Sequence, residues 1–258
     1  MKNKKVWFVT GCSKGLGYAL VNELLKQGYM VSATSRSTQA LIDAFGNESE
    51  QFLPLMVNLA DEESVKTALQ KTVLKFGRVD VVVNNAGYTH LATIEEMSDK
   101  AVRDLFDINV FGTLNVIRNV LPIMRKQNRG HIFNVSSLGA YNVGPLSGPY
   151  CATKHAIKAL SETLAMEVKQ FGIHVTDVKP GFMRTEFFGT SHKTDIAEQS
   201  HIKTFTMKIW IFIMDKTEHK QAIQRKPQNS TSRLLRWTIH RNPFQWEQIA
   251  VTEFVKLP

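Results

Sequence analysis

The sequence predicts a single α/β domain built on a parallel sheet of six or seven strands, doubly wound with helices on both faces. Three observations predict it. Short apolar runs rich in β-branched residues alternate with longer stretches of helical apolar spacing. The first such run leads into a glycine-rich turn and then directly into a helical pattern. At 258 residues and 43% hydrophobic, the chain can bury one sizeable core.

In chain order, Lys5-Val-Trp-Phe-Val-Thr10 has the apolar, β-favouring character of a buried strand over 5–10. Gly11-Cys-Ser-Lys-Gly-Leu-Gly17 is the turn, and the apolar spacing from Tyr18 to Gln27 gives a helix over 16–27 that stops at Gly28. Further strands are expected at 29–35, 51–57, 79–84, 131–136 and 173–179. Further helices are expected at 61–76, 98–127 and 148–171. Continuously apolar strands suit a parallel sheet buried on both faces. Gln248 to Val255 is a candidate seventh strand.

A glycine-rich turn between a strand and a helix lets the backbone approach a pyrophosphate, which then meets the free N–H groups and positive dipole end of the helix. Gly11, Ser13, Lys14, Gly15, Leu16 and Gly17 are therefore candidate cofactor residues, in a G-x-x-x-G-x-G spacing. A glycine turn with no ligand is the plain alternative. The second strand run ends at Ser35 without a carboxylate and is followed by Arg36. An acid there would bind a ribose 2′-hydroxyl, whereas arginine accommodates a 2′-phosphate. With Lys14 as a second cation, NADP(H) is expected over NAD(H).

Tyr150-x-x-x-Lys154 places a phenol and an ammonium on one helical face, with Ser137 thirteen residues upstream of the tyrosine. An adjacent cation favours the phenolate of a group whose ordinary pKa is about 10. Ser137 can hydrogen-bond a substrate oxygen, and the trio suits moving a proton on or off that oxygen while a hydride moves at its carbon. Alone, the Tyr/Lys pair is also what an ordinary amphipathic helix contains. Ser136 competes for the serine role, and the thirteen-residue spacing favours Ser137. Cys151 and Cys12 read as packing residues.

Together these segments resemble the short-chain dehydrogenase/reductase family over roughly residues 4–190. The resemblance implies a Rossmann-type fold. Asn84-Asn85-Ala86-Gly87 resembles the family's motif after the fourth strand, and Asn109 matches the helix asparagine that completes a tetrad with Ser137, Tyr150 and Lys154. Asn58-Leu59 stands where the family usually has Asp-Val or Asp-Leu beside the adenine, a mild departure because asparagine keeps an acceptor. Pro180, Gly181, Met183 and Thr185 match the stretch that closes over the nicotinamide. The resemblance implies a homodimer or homotetramer, with Leu114, Ile117, Leu121, Ile157 and Leu160 offering apolar contacts. It implies a small carbonyl or alcohol substrate and no metal.

The formal charge of +9 raises nucleic acid as a partner, but residues 191–258 hold 11 Lys and Arg against 6 Asp and Glu, so much of the excess lies in the tail. No nucleic-acid partner is expected. Two cysteines suggest a reducing compartment, here the cytoplasm, and no leader or transmembrane segment is expected. All 15 glycines lie at or before Gly189, while three of four tryptophans lie beyond it. The expected organisation is a dinucleotide-binding and catalytic core over 1–190 and a divergent substrate lid over 191–258, with Phe187 to Met214 covering a hydrophobic substrate. A catalytically weak, cofactor-sensing or scaffold protein on the same fold is the rival reading. An epimerase or dehydratase of the extended branch fits the loop spacing and length less well.

Overall fold

In the computed structural model, residues 4–180 and 192–194 are described. The chain runs β1 (Val6–Val9), α1 (Gly15–Lys26), β2 (Met30–Ser35), α2 (Thr38–Phe45), β3 (Phe52–Met56), α3 (Glu62–Phe76), β4 (Val81–Asn84) and β5 (Thr89–Leu91). It continues through α4 (Asp99–Phe106), α5 (Gly112–Gln127), β6 (Gly130–Val135), α6 (Gly148–Val168), β7 (Ile173–Val178) and β8 (His192–Thr194). Six strands form one parallel sheet in the order β3-β2-β1-β4-β6-β7. The order reverses between β1 and β4, and that crevice at the carboxyl ends is where such sheets take ligands. All six expected strands and four expected helical regions are present.

Two apolar layers sandwich the sheet. Phe8, Val82, Ile132 and Ile173 pack with Val65 and Leu69 of α3, Val116 and Val120 of α5 and Leu164 of α6. Trp7, Val9, Val31 and Phe133 pack with Leu20, Val21 and Leu24 of α1 on the other face. The alternation of side chains along each strand sends neighbours to opposite layers.

Four features depart from expectation. α2 is an additional helix, capped by Ser37 Oγ accepting from Ala40 N at 3.3 Å. Its eight residues bury fully only Leu41, too little periodic signal to read in advance. The helix expected over 98–127 contains a π-helical turn at Asp107–Phe111 between α4 and α5. β5 and β8 form a separate parallel pair, with His90 in register with Lys193. Finally, Ile117 and Ile157, expected at a subunit contact, are buried within this chain, Ile117 in the layer that α3 and α5 pack on the sheet. The candidate strand at 248–255 lies outside the described residues.

Candidate active site

Thr10 carries the chain from β1 into the glycine-rich loop. Thr10 N donates to Val83 O at 3.0 Å and Cys12 N to Thr34 O at 2.9 Å, pinning the turn to both adjacent strands. Thr10 Oγ1 accepts from the amides of Asn85 (3.1 Å) and Ala86 (3.0 Å). Asn85 Nδ2 in turn donates to Thr10 O and Gly11 O, both at 2.9 Å. The two motifs are thereby one hydrogen-bonded unit. Gly11 has φ +71°, and a Cβ on it would sit 2.7 Å from Ala86 Cα. A Cβ on Gly17 would sit 2.3 Å from Gly11 O. α1 starts at Gly15 with Lys14 as its N-cap and no side-chain cap, so the amides of its first turn are available to an anion. These residues fit a dinucleotide pyrophosphate.

Ser13 and Leu16 lie in this loop and first turn, both partly buried. Cys12 is fully buried, and desolvation pushes its thiol up to about 12, against a backbone hydrogen bond at Thr34. It is inert packing. Arg36 is exposed just beyond β2, and its charge reaches the Tyr88 phenol. Asn58 Oδ1 accepts from Ala60 N at 3.2 Å, shaping the turn after β3. Leu59 packs beneath the π-helical turn, where a Cβ on Gly112 would lie 2.8 Å from Leu59 Cβ.

The candidate catalytic side chains converge from three elements. Ser137 follows β6, Tyr150 and Lys154 lie one turn apart on α6, and Asn109 projects from the π-helical turn. A Cβ on Gly139 would stand 3.5 Å from both Ser137 Oγ and Tyr150 Cε1, and one on Gly87 would stand 3.1 Å from Asn109 Oδ1 and 3.6 Å from Lys154 Nζ. Asn109 is locked: its Oδ1 accepts from Tyr88 N at 3.1 Å, and its Nδ2 donates to Tyr88 O at 3.0 Å and Thr153 Oγ1 at 3.2 Å. Thr153 Oγ1 donates onward to Tyr150 O at 2.7 Å. The inserted residue of a π turn re-aims a side chain, and such turns recur at functional sites.

Electrostatics at the site run partly against expectation. Burial pushes the Tyr150 phenol up to about 12, with the Ser137 hydrogen bond pulling it down and neighbouring Cys151 adding to the rise. Lys154 Nζ donates to Val135 O at 2.8 Å and lies 5.8 Å from the Tyr150 ring centre. In this arrangement the ammonium is directed at the strand, and burial dominates at the phenol. Desolvation also lowers Lys154 to about 8, against the opposing charge of Asp177.

Several neighbours were not anticipated. Thr10 and Thr153 look like ordinary strand and helix residues in sequence. Asp177 and Lys179 lie on β7 and just beyond it, paired at 2.9 Å. A carboxylate between the last two valines of the strand Ile173–Val178 was the available signal. Pro180 O accepts from Leu138 N at 3.2 Å, which ties that motif to the turn after Ser137. Gly181, Met183 and Thr185 lie outside the described residues. Among the described residues, no group of three or more His, Cys, Asp or Glu is arranged to hold a metal. No described helix is long and apolar enough to cross a membrane.

The family model described as short chain dehydrogenase matches residues 5–196. The chain belongs to this family. It is an NAD(P)-dependent dehydrogenase/reductase. "Oxidoreductase BOA17" of Botryotinia fuckeliana is 37% identical over 203 residues, spanning 78% of this chain and 73% of that one. A 3-ketodihydrosphingosine reductase of Bacteroides thetaiotaomicron is 32% identical over 222 residues, 86% of this chain and 80% of its own. The chain spans 58% of an uncharacterized oxidoreductase of Schizosaccharomyces pombe, at 39% identity. Among solved structures, a short-chain dehydrogenase from Streptomyces avermitilis superimposes with TM-score 0.73 at 34% identity, covering 82% of this chain and 78% of that one. ElxO with NADP bound gives 0.68 at 28% identity, over 81% and 91% of the two chains. NAD+-bound xylitol dehydrogenase gives 0.67 at 29%, over 71% and 72%. Short-chain dehydrogenases similar to this chain thus bind either cofactor.

Proposed function

We propose that this protein is an NADP(H)-preferring carbonyl reductase or alcohol dehydrogenase acting on a hydrophobic small molecule. The observation that carries the reading is the convergence of Ser137, Tyr150, Lys154 and Asn109 beside the glycine cradle. Tyr150 is the proton donor to the substrate oxygen, and Ser137 orients that oxygen. Lys154 holds the nicotinamide ribose and, when charged, favours the phenolate. Asn109 fixes the Tyr88 backbone and the start of α6. The nicotinamide supplies or accepts the hydride. The buried phenol stays protonated at neutral pH, the form that gives a proton to a carbonyl oxygen.

Cofactor preference rests on Arg36 and Lys14, with no acid at the end of β2. Asn58, Leu59, Asn85, Ala86 and Gly87 would line the adenosine and nicotinamide ribose side. Pro180, Gly181, Met183 and Thr185 would close over the nicotinamide. An apolar substrate is supported by exposed Ile94, Leu138 and Val143, with Ile94 beside Gly148 at the start of α6. Residues 191–258 would supply the cover over the 1–190 core, a reading supported by β8, at the start of that segment, pairing with β5. A second copy would pack on the partly exposed Leu114, Leu121 and Leu160. The two free, buried cysteines suit the cytoplasm. A panel of apolar and polar carbonyl compounds, followed by NADPH and NADH absorbance, tests the reading. Loss of NADPH absorbance with bulky apolar ketones or aldehydes is expected. Equal use of both cofactors, or turnover confined to small polar carbonyls, overturns the corresponding part.

A further inference from the structure

Three polar residues lie side by side across the sheet at the carboxyl ends of its strands. Asn84 on β4 is in register with Asn134 on β6, and Asn134 with Asp177 on β7. Asn84 Nδ2 donates to Asn134 Oδ1 at 2.8 Å, and Asn134 Nδ2 donates to Ser161 Oγ on α6 at 2.9 Å. The row therefore faces α6. Asp177 ends it as a buried carboxylate whose Oδ2 meets Lys179 Nζ at 2.9 Å. Beyond that ion pair, neither oxygen of the carboxylate has a hydrogen bond of good geometry among the described residues. A buried charge whose oxygens are so poorly hydrogen-bonded is costly, and it calls for a further compensating cation. Lys154, itself buried, sits on the same face with its ammonium on Val135 O, one residue beyond Asn134.

We infer that Asp177 is a positioning residue for the reaction proposed above, its carboxylate holding Lys154 cationic beneath the site. The inference rests on that functional reading. The elements packed against α6 carry Asp177 on β7 with Lys179 just beyond it, Tyr141 after the turn following Ser137, His90 on β5, and Asp104 and Asp107 on α4 and the π-helical turn, while α6 itself carries Tyr150, Cys151 and Lys158. Lys179 and Lys158 both lie over the Tyr141 ring, at 5.2 and 5.0 Å. The acids Asp104 and Asp107 act on Tyr88. Asp177 is the acid that acts on Lys154, opposing the desolvation that brings the ammonium to about 8. Lys179 divides the attention of the same carboxylate, so the two lysines compete for it.

The test is a pH titration of the Lys154 ε-carbon by NMR in protein carrying 13C-lysine, assigned with Lys154→Arg. Asp177→Asn should lower the Lys154 midpoint by about one unit, the size of effect an opposite charge produces nearby. Lys179→Met should raise it. The alkaline limb of NADPH-dependent reduction should move with the midpoint in each variant, so that Asp177→Asn loses about fivefold in rate at pH 8, the fall in charged fraction that one unit gives. A purely structural role would not shift the midpoint in opposite directions. An unmoved midpoint, or one moved the same way by both variants, overturns the inference. If Asp177→Asn does not fold, Lys179→Met decides alone, and no rise overturns it. If wild-type protein reduces none of the carbonyls, the functional reading fails, while the NMR midpoints still decide the link.

Discussion

The two ends of the sheet each bury an aspartate, and they treat it differently. At the amino ends, Asp80 accepts from Val6 N at 2.8 Å and pairs with Arg78 at 2.7 Å and Arg129 at 3.6 Å, so both oxygens are engaged. At the carboxyl ends, Asp177 has one lysine on one oxygen and stands near a desolvated Lys154. The first arrangement is that of a fastening, in which a buried charge is neutralised and hydrogen-bonded. The second leaves charge in tension, which shifts proton affinities and is the state in which acid–base chemistry is tuned. Substitutions at the two ends should therefore separate stability from chemistry.

The largest separation is expected for Tyr150→Phe. Removing the phenol oxygen should cost about 10²–10⁴-fold in turnover, the range for a positioned proton donor. NADPH affinity and the unfolding midpoint should stay close to wild type. Near-normal turnover would remove Tyr150 from the mechanism.

The converse lesion is Asp80→Ala. It strands Arg78 and Val6 N and should lower unfolding free energy by about 2–3 kcal/mol, below the full value for a buried pair because both arginines reach solvent. Activity per folded molecule should be unchanged. Denaturant titration beside active-site titration checks this, and a drop in kcat without a drop in stability would erase the contrast between the two ends.

Arg36→Asp should weaken NADPH binding by about 1.5–3 kcal/mol, the scale of a charge-assisted hydrogen bond to phosphate, and NADH binding far less. Fluorescence titration with each cofactor reads the difference. Equal losses would show that Arg36 does not meet a 2′-phosphate.

The smallest change in stability, and the most diagnostic, is that of Lys154→Met. Lys154 is lowered to about 8 in the folded chain, so folding there releases protons, and stability should rise with pH between about 8 and the ordinary lysine range. Removing the buried charge should abolish turnover yet stabilise the fold at pH 7 by about 1–2 kcal/mol, after allowing for the hydrogen bond lost by Val135 O. The pH-dependent gain should vanish in the variant. A destabilised Lys154→Met would mean that the ammonium fastens α6 to the sheet.

Much of this was written locally. β1, the glycine turn and α1 were legible because apolar runs, the Gly11 and Gly17 positions and helical spacing act over a few residues. Tyr150 and Lys154 were legible because one helical turn puts them on one face. The eight-residue α2 was not, since a helix burying one leucine leaves hardly any periodicity. The π-helical turn around Asn109 was not either, because its extra residue is stabilised by packing of Gly112 on Leu59 and by the Tyr88 backbone, both remote in sequence.

Sequence by itself determined the parallel α/β class, the dinucleotide cradle and which side chains can carry a proton, because those follow from backbone conformation, short-range spacing and side-chain chemistry. Tertiary structure decided how those side chains are electrostatically set. Burial, which depends on every packed layer at once, raised the Tyr150 phenol and lowered Lys154, and the register of β7 against β6 brought Asp177 into line with Asn134 beneath α6. A pKa is fixed by the solvent and charges around a group, and these are known only once strands distant in sequence have paired.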